Sequence, residues 1–169
     1  NSEDYEIFTE WLNDFETTDY LGRSAQVYSL AGEKKYLEDN NSPEAIFSII
    51  TLDEDKIIGS VSLEKINHLK RKATLGIFIG DKNYRNNGYG TEAIKLILEY
   101  GFKYLNLNNI KLDLIEFNER ALKCYKKCGF KEYGRRRKSE FVNGKYDDTI
   151  EMDILAEEFL EYCIRNKNI

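Results

Sequence analysis

The stretch from Leu75 to Ala93 limits the fold more than any other part of the chain. Leu75, Ile77 and Ile79 alternate with Gly76 and Phe78 as a strand does, a polar loop follows from Asp81, and Thr91-Glu92-Ala93 opens a helix-forming run. Gly88 and Gly90 lie just before that helix. They let the backbone turn tightly and approach a ligand, while the helix start offers unpaired N–H groups and the positive end of its dipole. Such a junction suits a pyrophosphate, and Arg85 supplies a charged donor beside it.

The rest of the chain falls into place around this junction. Residues 3–14 carry Tyr5, Phe8, Leu12 and Phe15 at helical spacing, a polar break follows, and residues 31–39 form a second short helix before Asn40-Asn41-Ser42-Pro43. Runs at 45–50 and 56–63 flank Asp53-Glu54-Asp55 as a hairpin, in which Ile57, Gly59, Val61 and Leu63 share a face, and Ala73 to Gly80 adds a third strand. A helix from about Thr91 to Tyr104 turns Ile94, Ile97, Leu98, Gly101 and Leu105 inward, and a strand from Ile110 to Glu116 completes a β-α-β unit. Asn118 caps a helix bearing Ala121, Leu122 and Tyr125 that stops at Gly129. Strands at 130–142 and 145–155 meet at Asn143-Gly144, the dipeptide of a type I′ turn, and a short helix starts at Ala156. This order predicts an α/β (α+β) fold with a mixed sheet and helices on its faces.

At 169 residues and 41% apolar content, one domain over 1–169 is expected. No apolar run is long enough to span a membrane, and the opening Asn1-Ser2-Glu3-Asp4 is unlike a signal peptide, so a cytoplasmic protein is expected. Cys124, Cys128 and Cys163 are odd in number and suit reduced thiols, and with His68 alone to join them no metal site is predicted. A net charge of −5 argues against nucleic acid and favours cationic small molecules. The basic run Arg135-Arg136-Arg137-Lys138 is assigned to the solvated edge of the last hairpin.

Two nucleotide motifs compete for the glycine loop. Gly88-Tyr89-Gly90-Thr91-Glu92-Ala93 satisfies G-x-G-x-x-A, with Asp113 about twenty residues on, as an NAD-binding enzyme would have it. Seven residues separate Gly80 from Gly88, however, and fewer than eighty remain for a second mononucleotide half. No Gly-Lys-Ser/Thr follows, which excludes a Walker A loop.

Arg85-Asn86-Asn87-Gly88-Tyr89-Gly90 resembles the acetyl-CoA pyrophosphate loop of the GNAT N-acetyltransferases, Gln/Arg-x-x-Gly-x-Gly/Ala. Asn118 to Phe130 resembles their second signature, Asn-x-x-Ala-x-x-x-Tyr-x-x-x-Gly-Phe. Glu10 to Asp14, Ile66-Asn67-His68 and Phe141 to Tyr146 look like the branch of ribosomal-protein N-terminal and spermidine/spermine acetyltransferases. The resemblance implies a single-domain GNAT fold, a mostly antiparallel mixed sheet of six to seven strands with about four helices, splayed at Gly80 to admit the cofactor. The family's first strand has no counterpart ahead of residues 3–14.

It further implies acetyl transfer from acetyl-CoA to a primary amine, either a peptide N-terminus or a polyamine, with an aminoglycoside as a lesser choice. No nucleic acid or membrane partner is expected, and a homodimer is allowed. Phe78 and Ile79 would meet the cofactor through their backbone, and Asn86, Asn87, Gly88, Tyr89, Gly90 and Thr91 through loop N–H groups, with Arg85 and Asn118 beside them. Asn118 and Tyr125 are seven residues apart, so they share a helix face about 10 Å apart along the axis. The family gives the tyrosine matching Tyr125 the role of proton donor to the leaving thiolate. Polyamine enzymes of this shape often carry a glutamate after Arg-Arg-Ala, and here Arg71-Lys72-Ala73 is followed by Thr74. Glu116, at its strand's end beside Asn118, is the substitute candidate for the base, with a water relay as the other route. A non-catalytic acyl-CoA-binding or sensing module is the alternative reading; it would not need Tyr125.

Overall fold

The amphipathic stretch at 3–14 forms one helix, and the polar break after it forms, against expectation, a second. In the computed structural model, which describes residues 4–21, 27–38 and 45–166, α1 (Asp4–Leu12) is followed at once by α2 (Phe15–Asp19). Asp14 creates α2 from sequence that is merely polar. Its carbonyl accepts from the N–H groups of Thr17 and Thr18, both at 3.0 Å, and its carboxylate accepts from the Thr17 hydroxyl at 2.6 Å. Asn13 then pins the next segment: its side-chain amide accepts from the Tyr28 N–H at 2.9 Å and donates to the Tyr28 carbonyl at 2.8 Å. That lays α3 (Leu30–Glu38) beside α1. Phe8 and Leu12 are buried as predicted. The side chains of Tyr5 and Phe15 and the break at 40–43 lie outside the described residues.

Six strands make one sheet: β1 (Ala45–Ile50), β2 (Ile57–Asn67), β3 (Lys72–Ile79), β4 (Asn109–Ile115), β5 (Lys131–Val142) and β6 (Lys145–Leu155). Their order is β1-β2-β3-β4-β6-β5, antiparallel except for β3 against β4. Between those two runs α4 (Tyr89–Glu99), the crossover that a parallel pair requires. Its Ile94, Ile97 and Leu98 are buried, and Leu96 faces out. It ends in a widened π turn over Tyr100–Tyr104, where the Leu105 N–H reaches the Tyr100 carbonyl at 3.2 Å.

The core lies between α4 and one sheet face, where Leu63, Ile110, Leu112, Ile150, Met152 and Ile154 are all but inaccessible. Each such side chain contributes about 1.5–3 kcal/mol of transfer free energy. The helix α5 (Glu119–Lys127) and the closing α6 (Ala156–Asn166) bring the helices among the described residues to six, where about four were expected. The last hairpin turns as predicted, with Asn143 at φ 51° and Gly144 at φ 78°. The basic run falls on edge strand β5, where Arg136 meets Asp113 at 3.6 Å and Glu151 at 3.4 Å.

The sheet is split through its middle. β3 and β4 share only three pairs, Lys72 with Asn109, Ala73 with Ile110 and Thr74 with Lys111. Beyond Thr74 each strand keeps its outer neighbour: β3 stays on β2 as far as Ile79 opposite Gly59, and β4 on β6 as far as Ile115 opposite Thr149. The splay thus begins after Thr74, well before the predicted Gly80, because it is a parting of two well-paired halves and needs no local break in β3.

Candidate active site

The wedge between β3 and β4 opens into a cleft of about 1450 Å³, walled by the glycine loop, the start of α4, α5 and the inner side of α1 and α2. Along one wall, Gly76 to Ile79 have no strand partner on their β4 side among the described residues. Their backbone is an unpaired sheet edge inside the molecule, ready to bind an amide-bearing chain as an added strand. The ring of Phe78 points away from it, into a cluster with Phe8 and Trp11 at centroid distances of 6.1 and 6.2 Å.

The loop itself is rigidly held. Asp81 accepts from the Asn83 N–H at 3.0 Å, starting a 3-10 turn over Lys82–Tyr84, and also pairs with Lys56 at 2.8 Å. Asn87 donates to the Asn83 carbonyl at 3.2 Å, Tyr89 packs against Tyr84 at 5.8 Å, and Asn86 takes φ 66°. Gly88 sits at φ 91° as the N-cap of α4 and offers no side chain to cap it. The first intrahelical bond runs from Glu92 N–H to the Gly88 carbonyl at 3.0 Å. The N–H groups of Tyr89, Gly90 and Thr91 therefore lack an intrahelical acceptor, and with Gly88, Gly90 and Thr91 lining the cleft a positive helix end borders it, the arrangement an anion needs.

Arg85 departs from expectation. Its side chain is only 8% exposed, and it donates to the carbonyls of Ile79 at 2.9 Å and Gly80 at 3.1 Å and to the Thr17 hydroxyl at 2.8 Å. It braces the end of β3 against α2. Burial, and then the nearby Arg120 charge, lower its pKa from the usual guanidinium value. Asn118 is likewise turned inward: it is 7% exposed, accepts from the Ala121 N–H at 3.1 Å as the N-cap of α5, and donates to the Tyr20 carbonyl at 3.3 Å.

Tyr125 faces the wedge from α5. It is half-buried, lies edge-on to Phe130 at 5.9 Å, and its hydroxyl has no hydrogen-bond partner among the described residues. Burial above all, then the thiols of Cys124 and Cys128 and the charge of Asp113, push its pKa well above the usual phenol value, so it stays protonated at neutral pH. Glu116 does not join it. That carboxylate is paired with Arg135 at the end of β4 and is not part of the cleft wall.

Two groups were missed from sequence. Cys124 and Cys128, one helical turn apart, both meet Thr91: Cys124 Sγ lies 3.3 Å from its hydroxyl and Cys128 Sγ 3.8 Å from its carbonyl. The Cys128 thiol, ahead of the Thr91 hydroxyl, holds the Cys124 thiol down to about 6 against the opposing effect of burial, while Cys128 itself is pushed up. The spacing of four on a helix was the signal. Cys124 is thus expected to be a thiolate at pH 7 and to lose reactivity as pH falls through about 6. Iodoacetamide labelling followed by peptide mass spectrometry should find it modified well before buried Cys128, and equal rates would refute this. The second missed group, Ser62 and Glu64, lies on the face of β2 opposite the predicted apolar one, a period-two pattern already legible in the strand.

Among the described residues no cluster of metal-ligating side chains occurs, and no helix is long and apolar enough to cross a membrane. A family model described as an acetyltransferase (GNAT) domain matches residues 1–131, which include the glycine loop and Tyr125. The spermidine N(1)-acetyltransferase of Escherichia coli (strain K12) is 37% identical over 112 residues, covering 66% of this chain and 59% of that protein's length. The corresponding Vibrio cholerae protein is 33% identical over 126 residues, covering 75% of this chain and 70% of its own. Among solved structures, spermidine N-acetyltransferase from Vibrio cholerae in complex with CoA and spermine has a TM-score of 0.85 at 28% identity, covering 95% of this chain and 94% of that one.

Proposed function

We propose that this chain, which belongs to the GNAT acetyltransferase family, transfers the acetyl group of acetyl-CoA to a primary amine of a polyamine such as spermidine. The observation that carries the reading is the split sheet: one wall is an unpaired strand edge, one end is an uncapped helix start, and the unpartnered hydroxyl of Tyr125 faces the gap. An extended pantetheine arm would pair along Gly76 to Ile79, its diphosphate would lie at Gly88, Gly90 and the start of α4, and its thioester would end near Tyr125. Backbone N–H groups of Asn86, Asn87, Tyr89 and Thr91 complete the loop. Arg85 and Asn118 act by holding that loop and α5 in place, since their polar atoms are engaged within the protein.

The cleft carries charge of both signs. Arg120, Lys123 and Lys127 line it from α5 together with Glu119, and Glu64, Lys65, Asp113 and Glu140 line it from the strands. Such carboxylates suit a polycation better than the single charge of a peptide N-terminus. Tyr125 would donate its proton to the departing thiolate. Glu116 is bound to Arg135 outside the cleft, so the base lies among the groups that line it. One domain over the whole chain would carry this activity, and three unbridged cysteines suit the cytoplasm, where both substrates are at hand.

The test is release of CoA thiol from acetyl-CoA in the presence of spermidine, spermine, or peptides with a free N-terminal serine or alanine. Polyamine-dependent release should exceed that with either peptide by about tenfold or more, a difference of roughly 1.4 kcal/mol in transition-state binding. Equal or greater rates with the peptides would overturn the polyamine assignment. Binding of acetyl-CoA without release for any amine would support a sensing module in place of an enzyme.

A further inference from the structure

Ser60, Ser62 and Glu64 alternate along β2 on the face opposite Val61 and Leu63, and all three line the cleft. Ser62 is buried, and its hydroxyl donates to Glu64 Oε1 at 2.9 Å. The pair lies over Gly76, where a Cβ would stand 2.7 Å from Glu64 Oε1 and 2.7 Å from Ser62 Oγ. Gly76 is two residues past Thr74, the last residue of β3 that pairs with β4. The carboxylate therefore stands on the wall of the wedge at the point where the strands have just parted.

The charged groups around it leave it unneutralised. Lys65 follows at the bulge of β2 with φ 51°. Lys111 shares the cross-strand row through Thr74, two strands away and so roughly 10 Å off at the backbone. Neither makes an ion pair with Glu64, and among the described residues no cation lies within 4 Å of it. A carboxylate oriented by a buried hydroxyl, open to a cleft and lacking a cation, is a receptor for an ammonium group.

We infer that Glu64 receives the protonated amine of the acceptor and takes the proton that must leave before the nitrogen can attack. This rests on the polyamine reading above. The ammonium gives one proton to the Glu64 carboxylate, which returns it to solvent through the open cleft, and the freed lone pair bonds to the thioester carbonyl carbon. As the C–S bond breaks its electron pair stays on sulfur, which takes the Tyr125 proton, and the nitrogen's second proton restores the phenol. The sum is one ammonium and one acetyl-CoA giving one amide, one CoA thiol and one proton.

The test compares wild type with Glu64→Gln and Gly76→Ala, measuring spermidine-dependent thiol release from pH 7 to 9. The acetyl-CoA-induced shift in melting temperature reports fold and cofactor site. Glu64→Gln should lower kcat/KM about 100-fold at pH 7. The gap should narrow by about tenfold per pH unit, because the free-amine fraction rises that fast below an amine pKa near ~10. Gly76→Ala, which keeps the carboxylate but displaces it, should fall between the two, and Glu64→Gln, which leaves the cofactor's strand edge untouched, should keep the melting shift. A Glu64→Gln rate within about threefold of wild type, or a loss of constant size at every pH, would overturn the inference. A wild-type protein that releases no thiol with any polyamine would instead overturn the function proposed above, and this inference with it.

Discussion

Replacing Tyr125 with phenylalanine is expected to lower polyamine-dependent thiol release by about 10²–10⁴-fold while leaving acetyl-CoA binding intact. The substitution removes one oxygen whose hydrogen bonds lie with no described residue, and it keeps the ring against Phe130. The melting temperature and its shift on adding acetyl-CoA should therefore stay close to wild type. Because the phenol's pKa is raised, the proton it donates is present throughout the neutral range, and any loss of rate toward alkaline pH must come from another group. A phenylalanine variant at full rate would show that solvent protonates the departing thiolate. It would also return the sensing module to consideration if the wild type proved inactive.

The second large effect is structural. Trp11 lies so close to Gly80 that a Cβ there would stand 2.0 Å from its Cδ2. Gly80→Ala is thus expected to cost about 1–3 kcal/mol through overpacking, read as a lowered midpoint of chemical denaturation with an unchanged slope. Because Trp11 also packs on Phe8 and Phe78, the clash should push α1 off the end of β3 and weaken acetyl-CoA binding too. Gly80→Ala in a Trp11→Ala background should cost little beyond the tryptophan change itself, since the obstructing ring is gone. Simple additivity of the two changes would refute a direct clash as the cause.

The elements that sequence reading placed well are those whose periodicity is imposed by one buried face. Alternation in 56–63 and 73–80, helical spacing in 91–104 and the Asn143-Gly144 turn each name their own structure locally. What stayed hidden depends on partners far along the chain. Arg85 looks like an anion ligand until the hydroxyl of Thr17, 68 residues away, is seen to accept a hydrogen bond from it. Glu116 looks like a base until Arg135, 19 residues on, is found paired with it. A charged side chain declares its chemistry in sequence but not its neighbour. Helix α2 was missed because a five-residue helix made by one aspartate has no period to detect. Glu64 stays hidden for a different reason: the apolar face of its strand declares itself by alternation and the polar face does not, although Glu64 stands directly opposite Thr74, the residue that follows Arg71-Lys72-Ala73.

The parting of β3 from β4 has a bearing on which changes this protein tolerates. A ligand that enters as a strand is recognised through N–H and C=O groups that every residue but proline supplies, each bond worth a net of about 0.5–1.5 kcal/mol once exchange with water is counted. Recognition along Gly76 to Ile79 is therefore nearly blind to side-chain identity. The side chains of that stretch are left free to serve the other faces of the molecule, as Phe78 does in gripping α1. Substitution there is limited by what each side chain packs against, as Gly76 is by the Ser62–Glu64 pair above it, while the edge itself bars only proline.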